Sequence, residues 1–123
     1  SSAGEVLAIY QSTFLADSIF LATANGVLAG NLQDNLLDFS KWKRFDVGDF
    51  SGVVKSISSI NNIVYAAIDG LGVYRYQTGN WQLQPYLQGN DFRMITSSED
   101  FLFIPTQNEV WQLDQTNVPQ QLV

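Results

Sequence analysis

The hydrophobic pattern of the chain consists of short apolar or alternating runs separated by small polar turns. No segment sustains a 3.6-residue hydrophobic period, so almost no helix is expected. Residues 63–68 are apolar at every position, which indicates a strand covered on both faces of its sheet. Residues 81–84 instead alternate apolar and polar side chains, which indicates a strand half exposed to water. The pattern predicts an all-β protein.

The sequence also contains an internal repeat. Three hairpin-like segments share one pattern: SIFLATANGVLAGNL, NIVYAAIDGLGVYRYQ and DFLFIPTQNEVWQLD. With Leu21, Tyr65 and Phe103 taken as equivalent positions, the separations are 44 and 38 residues. Because another β-rich run precedes and follows each segment, every unit is expected to contain four antiparallel strands.

Each hairpin is interrupted by turn residues. The first two units have Asn-Gly at 25–26 and Asp-Gly at 69–70, which supply the positive φ angles of tight hairpins. The third turn, at 107–108, contains no Gly. Asn108 is therefore expected to adopt the left-handed conformation there.

Four-stranded units with doubly covered inner strands and half-exposed outer strands are typical of β-propeller blades. We expect one domain, residues 1–123, that is a propeller fragment of three blades at about 5–47, 53–87 and 91–123. The alternative, a sandwich of short strands in two sheets, gives no reason for the recurring turn chemistry. Because propellers close with roughly four to eight blades, two apolar faces stay open. We expect other blades of the same propeller, or self-association, to cover them.

Composition excludes several functions. The chain has 12 acidic and 6 basic residues, a net charge of −6, which disfavours binding to nucleic acid. It has neither Cys nor His, which excludes disulfides and thiolate catalysis and removes the commonest general base. No apolar run approaches 18 residues, so no transmembrane segment is expected.

Paired carboxylates are the remaining candidates for catalysis or metal binding. The pairs are Asp34 with Asp38, Glu99 with Asp100, and Asp46 with Asp49. All lie in loop-like sequence, where carboxylates commonly cap turns, and the last pair matches no EF-hand spacing. We therefore predict no catalytic residue, no metal site and no cofactor. A glycosidase or lyase would require a carboxylate pair converging in one cleft.

One connection in the first unit is unusually long. Residues 30–45 read GNLQDNLLDFSKWKRF, and they join the third and fourth strands through a loop about seven residues longer than its counterpart in the second unit. Leu36, Leu37 and Phe39 are expected to pack against the blade edge, with Asp38 or Ser40 capping the turn.

Loops are the best candidates for a binding surface, because loops carry function on rigid scaffolds. The first set lies in the turns of the three units and comprises Asn25, Asp69 and Asn108. The second set lies in the long loop 33–41 and comprises Asp34, Asn35 and Asp38.

Two stretches resemble known propellers. FLATANGVLAG and VYAAIDGLGVYRY, with LFIPTQNEVWQL as a degenerate copy, resemble two-component-regulator propeller repeats. ATANGVLAGNLQDNLLDFSKWKRF is similar to the N-terminal propeller of PorZ-like proteins of the Bacteroidetes type IX secretion system. The matching positions are Gly26, Asn35, Leu36, Leu37, Asp38, Phe39, Ser40 and Trp42.

The PorZ resemblance implies an exported, non-enzymatic component in the periplasm or at the cell surface. Its implied partners are outer-membrane secretion and attachment proteins, and surface polysaccharide. The alternative implied by the regulator-type repeats is a periplasmic sensor propeller of a hybrid two-component system that binds oligosaccharide.

Overall fold

The computed structural model describes residues 7–123, which form three antiparallel sheets of four strands, each in sequential order. Blade 1 contains β1 (Ile9–Leu15), β2 (Ser18–Thr23), β3 (Gly26–Asn31) and β4 (Lys43–Phe45). Blade 2 contains β5 (Ser56–Ile60), β6 (Ile63–Ile68), β7 (Gly72–Gln77) and β8 (Asn80–Leu83). Blade 3 contains β9 (Thr96–Ser98), β10 (Phe101–Pro105), β11 (Val110–Leu113) and β12 (Gln120–Gln121).

Helical structure among these residues is limited to two 3-10 turns, Phe39–Lys41 and Gly48–Phe50. In the part of the chain that is described, no helix is long and apolar enough to cross a membrane. The expected fold class, an all-β propeller fragment built from four-stranded antiparallel units, is confirmed.

The middle blade is covered on both faces, as its continuous apolar run predicts. Val64, Ala66 and Ile68 of β6 belong to the cluster shared with blade 1. Tyr65 and Ala67, on the opposite face of the same strand, belong to the cluster shared with blade 3. Burial on both sides removes most of this strand from water, which contributes hydrophobic stabilisation to both blade junctions.

The repeat register differs by one residue from the expected alignment. Two-residue turns separate the first two strands of every blade, between the pairs Leu15 with Ser18, Ile60 with Ile63, and Ser98 with Phe101. When residues are counted from these turns, Phe20 is equivalent to Tyr65 and Phe103. The expected equivalence of Leu21 with these two residues was therefore wrong. A one-residue slip moves a side chain to the other face of a strand. Phe20 accordingly packs against blade 2.

A shorter hairpin turn explains this slip. Two residues separate paired Thr23 and Gly26 in blade 1, whereas three residues separate paired Ile68 and Gly72 in blade 2. When the Asn-Gly of blade 1 is aligned with the Asp-Gly of blade 2, β2 is therefore placed one residue out of register with β6.

Glycine carries the positive φ angles of these turns, with +83° at Gly26 and +77° at Gly70. The expected left-handed Asn108 was wrong, because Asn108 is absent from the residues with positive φ. The third turn is longer. The Thr106 amide donates to the Glu109 carbonyl at 2.9 Å, and the Glu109 amide donates to Thr106 Oγ1 at 3.1 Å. A four-residue turn closed this way needs no left-handed residue.

The outer strand of blade 2 departs from the expected alternation at its end. Leu83 is 44% exposed, whereas Gln84 is only 6% exposed. The Gln84 amide extends the ladder by donating to the Val73 carbonyl at 2.8 Å. The Gln84 side chain is satisfied inside, since its Nε2 donates to the Gln82 carbonyl and its Oε1 accepts from Asn117. Paired burial makes a polar side chain tolerable there.

Candidate functional site

The antiparallel order places the loops at two opposite ends of the fragment. One end, called the linker end, carries the β2–β3, β6–β7 and β10–β11 turns and the two connections between blades. The other end, called the loop end, carries the β1–β2 turn, its equivalents and the long loop 32–42. Of the predicted binding residues, Asn25, Asp69 and Asn108 lie at the linker end. Asp34, Asn35 and Asp38 lie at the loop end, so the two sets do not form one site.

Asp69 fastens two blades together at the linker end. Its Oδ1 accepts a hydrogen bond from the Phe92 amide at 2.8 Å, at the entry to blade 3. The neighbouring Gly70 amide donates to the Asn90 carbonyl at 2.9 Å. A carboxylate that satisfies a backbone amide has a structural role.

Two cavities lie at the linker end, the first of mixed polar and apolar lining and the second mainly polar. The first, of about 320 Å³, is lined by Val53, Lys55, Ser56, Ala67, Asp69 and Phe92. The second, of about 370 Å³, is lined by Gly89, Asn90, Asp91, Thr106, Gln107, Asn108 and Glu109. Their amide, hydroxyl and carboxylate groups can hydrogen-bond to hydroxyl-bearing ligands or to a peptide backbone.

The polar residues of these cavities are partly engaged already. Glu109 Oε1 accepts from the Trp111 indole at 3.0 Å, so this carboxylate holds the β10–β11 turn against its own strand. Asn108 is exposed and lines the second cavity. Asn25 is exposed in its own turn, where its amide donates to Thr23 Oγ1 at 3.0 Å, and it lines neither cavity.

The long loop at the loop end is organised by its own side chains. The Asn35 Oδ1 accepts from the Leu37 amide at 3.2 Å. Asp38 Oδ1 accepts from the Ser40 amide at 3.0 Å and from the Ser40 hydroxyl at 2.8 Å. These hydrogen bonds lower the pKa of Asp38 below that of an ordinary carboxyl group. The predicted Asp38 cap is confirmed, and Asp34 stays exposed beside it.

The apolar residues of the loop do not all pack as expected. Leu37 is 90% exposed and Phe39 is 52% exposed, so the expectation that they are tucked against the blade was wrong. Leu36 and Trp42 instead pack over Gly30. The Trp42 indole donates to the Leu36 carbonyl at 3.0 Å. A Cβ at Gly30 would lie 2.9 Å from Leu36 Cδ2, so this glycine provides the space.

Together with blade 1, the loop forms an apolar groove. The groove measures about 320 Å³ and is lined by Leu7, Ile9, Leu21, Leu28, Leu36, Phe39, Trp42 and Arg44. It lies on the face of blade 1 that points away from blade 2, because Leu21 alternates with the buried Phe20 and Ala22. The loop is therefore both a connection and part of an open apolar surface.

The carboxylate pairs are dispersed over the surface. Asp34, Asp38, Glu99 and Asp100 are all exposed, the first pair in the long loop and the second in the β9–β10 turn. Asp49 Oδ2 accepts from the Tyr74 hydroxyl at 2.7 Å, which ties the linker to blade 2. Within residues 7–123, no three acidic side chains are grouped closely enough to hold a metal ion.

Hydrogen bonds made by Gln, Ser and Thr side chains link the inner strands of the three blades, and they were not predicted from the sequence. The Thr13 and Ser59 hydroxyls lie 2.9 Å apart, and the Ser58 hydroxyl donates to Ser97 Oγ at 2.9 Å. Gln11 bridges all three blades, since its Oε1 accepts from the Ile57 amide at 2.8 Å and its Nε2 donates to the Ile95 carbonyl at 2.9 Å. The recurrence of Ser and Thr just before each first turn was the signal that could have revealed these hydrogen bonds.

Comparison with known proteins supports the fold. No family model matches the chain, and no curated protein matches it. Among solved structures, the chain is similar to PorZ of Porphyromonas gingivalis, described as an essential bacterial surface component of the type IX secretion system. The TM-score is 0.77 and the identity 17%, covering 99% of this chain and 16% of PorZ. The resemblance to PorZ expected from residues 26–42 is confirmed as a likeness of fold.

Proposed function

We propose that the protein is a non-enzymatic β-propeller binding module, part of a PorZ-like component of the type IX secretion attachment machinery. The observation that carries this proposal is the fold shared with PorZ along nearly the whole chain. The resemblance of residues 22–45 to PorZ-like propellers in sequence supports it independently. On this proposal the protein is exported and acts in the periplasm or at the cell surface.

The proposed domain is one propeller fragment, residues 1–123, with blades at about 5–47, 53–87 and 91–123. Its polar side chains support binding over catalysis, since Asp38, Asp49 and Asp69 each accept hydrogen bonds that organise a loop or a blade junction. The open faces of the outer blades are proposed to contact other blades of the same propeller or to self-associate.

The proposed partners are outer-membrane secretion and attachment proteins. Two surfaces suit them. The loop end offers the exposed Leu37 and Phe39 beside Asp34 and Asn35, a mixture of apolar and polar groups that suits a protein interface. The linker end offers Asn25, Asp69 and Asn108 on three successive blades.

A second candidate function is oligosaccharide binding by a periplasmic sensor propeller. The observation that favours it is the second linker-end cavity, whose lining is dominated by amide, hydroxyl and carboxylate groups. Such groups form the hydrogen bonds by which sugar hydroxyls are recognised. Surface polysaccharide would use the same cavity in the scaffold function.

Binding of the purified chain to purified outer-membrane attachment proteins tests the proposal. We expect measurable binding that weakens at least about tenfold when Leu37 and Phe39 are both changed to Asp, because hot-spot losses typically exceed 1.4 kcal/mol. A Val118→Asp variant changes an exposed apolar side chain that belongs to neither surface, so it serves as the matched control and should bind normally.

Two outcomes would contradict the scaffold function. One is the absence of binding to every attachment protein tested. The other is binding of oligosaccharides alone, lost in Asn108→Ala, which would favour the sensor function.

A further inference from the structure

Each blade presents one face to the blade that follows it, here called the outgoing face. In blade 1 it consists of Phe20, Ala22 and Val27, and in blade 2 of Tyr65, Ala67 and Val73. All six side chains are 3% exposed or less. Each outgoing face therefore combines an aromatic residue, an alanine and a valine, and each is sealed by its neighbour.

Blade 3 has an outgoing face of the same kind. The strand registers place Phe103, Pro105 and Val110 at the three equivalent positions. All three are partly exposed. Phe101, 36% exposed, lies with its ring centroid 6.4 Å from that of Phe103 and extends this apolar surface. An apolar surface that is buried at both other positions of the repeat indicates an interface.

The faces that cover the outgoing positions, here called incoming faces, are aliphatic. Blade 2 contributes Ile57, Val64 and Ala66, and blade 3 contributes Ile95, Leu102 and Ile104. All six are fully buried, at 0% exposure. A blade that covers Phe103 by the same packing needs aliphatic residues at these three positions.

The inner-strand hydroxyls add a polar requirement. Thr13 of β1 contacts Ser59 of β5, and Ser58 of β5 contacts Ser97 of β9. In each pair the first residue lies two positions before the end of its strand, and the second lies one position before the end of its strand. In blade 3, Thr96 lies two positions before the end of β9, and it is exposed. By the same rule, a covering blade would present Ser or Thr to the Thr96 hydroxyl.

The first blade of a second copy does not meet these requirements. Of its three aliphatic positions, Ile19 and Leu21 fit, but Ser12 stands at the position of Ile57. At the hydroxyl position blade 1 has Phe14, which is 57% exposed. Its incoming face is also partly occupied at Gly30 by Leu36 and Trp42.

We propose that the outgoing face of blade 3 binds a further propeller blade that has an aliphatic incoming face and a Ser or Thr opposite Thr96. The first blade of a second copy is not its partner. This inference rests on the proposed function as part of a larger propeller, and it specifies the chemistry of the neighbour.

Thiol reactivity tests the proposal in the full chain. The protein has no Cys, so a Val110→Cys variant reports only on the outgoing face of blade 3. The chain is then extended after Val123 by a second copy of residues 84–123, whose blade supplies the aliphatic face and Ser97. We expect the thiol to react at least about tenfold more slowly in the extended chain, because reaction then requires local opening.

The matched control extends the chain through the same linker with a copy of blade 1, residues 7–45. Little protection is expected there, and equal protection by both additions would overturn the specificity. Protection of the unextended variant that grows with protein concentration would show that a second copy is the partner, which also contradicts the proposal.

Folding of the added blade is checked with a second addition, a copy of blade 2, which carries Ile57, Val64 and Ser59. Slow reaction of the thiol in the chain extended by blade 3 or by blade 2 supports the proposal. Fast reaction in both of these extended chains overturns it. A Val73→Cys variant must stay unreactive throughout, since Val73 is 0% exposed in the existing junction. Fast reaction with retained binding to attachment proteins would reject this inference and leave the proposed function standing.

Discussion

The middle blade and the third blade carry the same kinds of side chain on their outgoing faces, yet only the middle blade buries them. Every residue of β6 after Ile63 is buried, whereas β10 alternates between buried Leu102 and Ile104 and exposed or half-exposed neighbours. The chemistry of a face is thus encoded in the repeat, while its burial depends on a neighbouring blade. On our proposal, the outgoing face of blade 3 is available for contact with a further blade.

Truncating one aromatic residue on each outgoing face should give the largest contrast. Tyr65→Ala removes a ring that is 1% exposed between two blades, and we expect it to lower the free energy of unfolding by about 3–5 kcal/mol. Phe103→Ala removes the equivalent, half-buried ring and should cost less, about 1–2 kcal/mol. Urea unfolding measures both. Equal losses would show that the two faces do not differ as described.

The inner-strand network should provide the next largest effect. Gln11→Ala leaves the Ile57 amide and the Ile95 carbonyl without their side-chain partner, and we expect a loss of about 2–3 kcal/mol in urea unfolding. Ser12→Ala, one residue along the same strand, is the control and should stay within about 0.5 kcal/mol. A Gln11→Ala variant as stable as its control would mean that the bridge does not hold the blades together.

Sequence alone predicted the architecture well, because apolar periodicity and turn residues report directly on strands and hairpins. The blade register was harder to predict, since the Asn-Gly turn at 25–26 closes one residue earlier than the Asp-Gly turn at 69–70. Local turn chemistry does not reveal such a difference in strand pairing. The placement of Asn25, Asp69 and Asn108 at one end follows from strand order, but their hydrogen bonds depend on neighbouring blades.

The long loop was predicted only in part for the same reason. The Asp38 cap is a contact between near neighbours, and its sequence pattern was sufficient. Whether Leu36 or Leu37 points inward depends on the space above Gly30, which only the folded blade defines. The function of the loop depends on a partner, and no pattern in a single chain identifies one.

Substitutions within the loop should separate its inward side chains from its outward ones. Trp42→Ala removes a half-buried ring that packs over Gly30, and we expect a loss of about 1–3 kcal/mol. Leu37→Ser changes a side chain that is 90% exposed, so stability should change by less than about 0.5 kcal/mol. Thermal unfolding checks both. A large loss for Leu37→Ser would reverse the assignment of the two side chains.

Alkaline pH should weaken both junctions of the middle blade. Burial and the hydrogen bond to Asp49 raise the pKa of Tyr74, and burial and the nearby Tyr65 raise the pKa of Tyr86. A tyrosine whose pKa is raised on folding contributes its full stabilisation below its pKa in the unfolded chain, about 10. This contribution is lost progressively as the pH rises above that value. The free energy of unfolding should therefore fall above about pH 10.

The double variant Tyr74→Phe and Tyr86→Phe is the comparison for this pH effect. It should show a shallower fall in stability above about pH 10, because two of the groups that titrate only on unfolding are gone. An unchanged slope in the double variant would show that these tyrosines do not carry the alkaline dependence.

Native-state hydrogen exchange tests most directly the claim that the middle blade is sealed on both faces while the outer blades are open. We expect the slowest amides to lie in β6 and to exchange only through global unfolding, whereas amides of β10 and β3 exchange faster through local opening. Equal protection of β3, β6 and β10, or slower exchange in β10 than in β6, would contradict it.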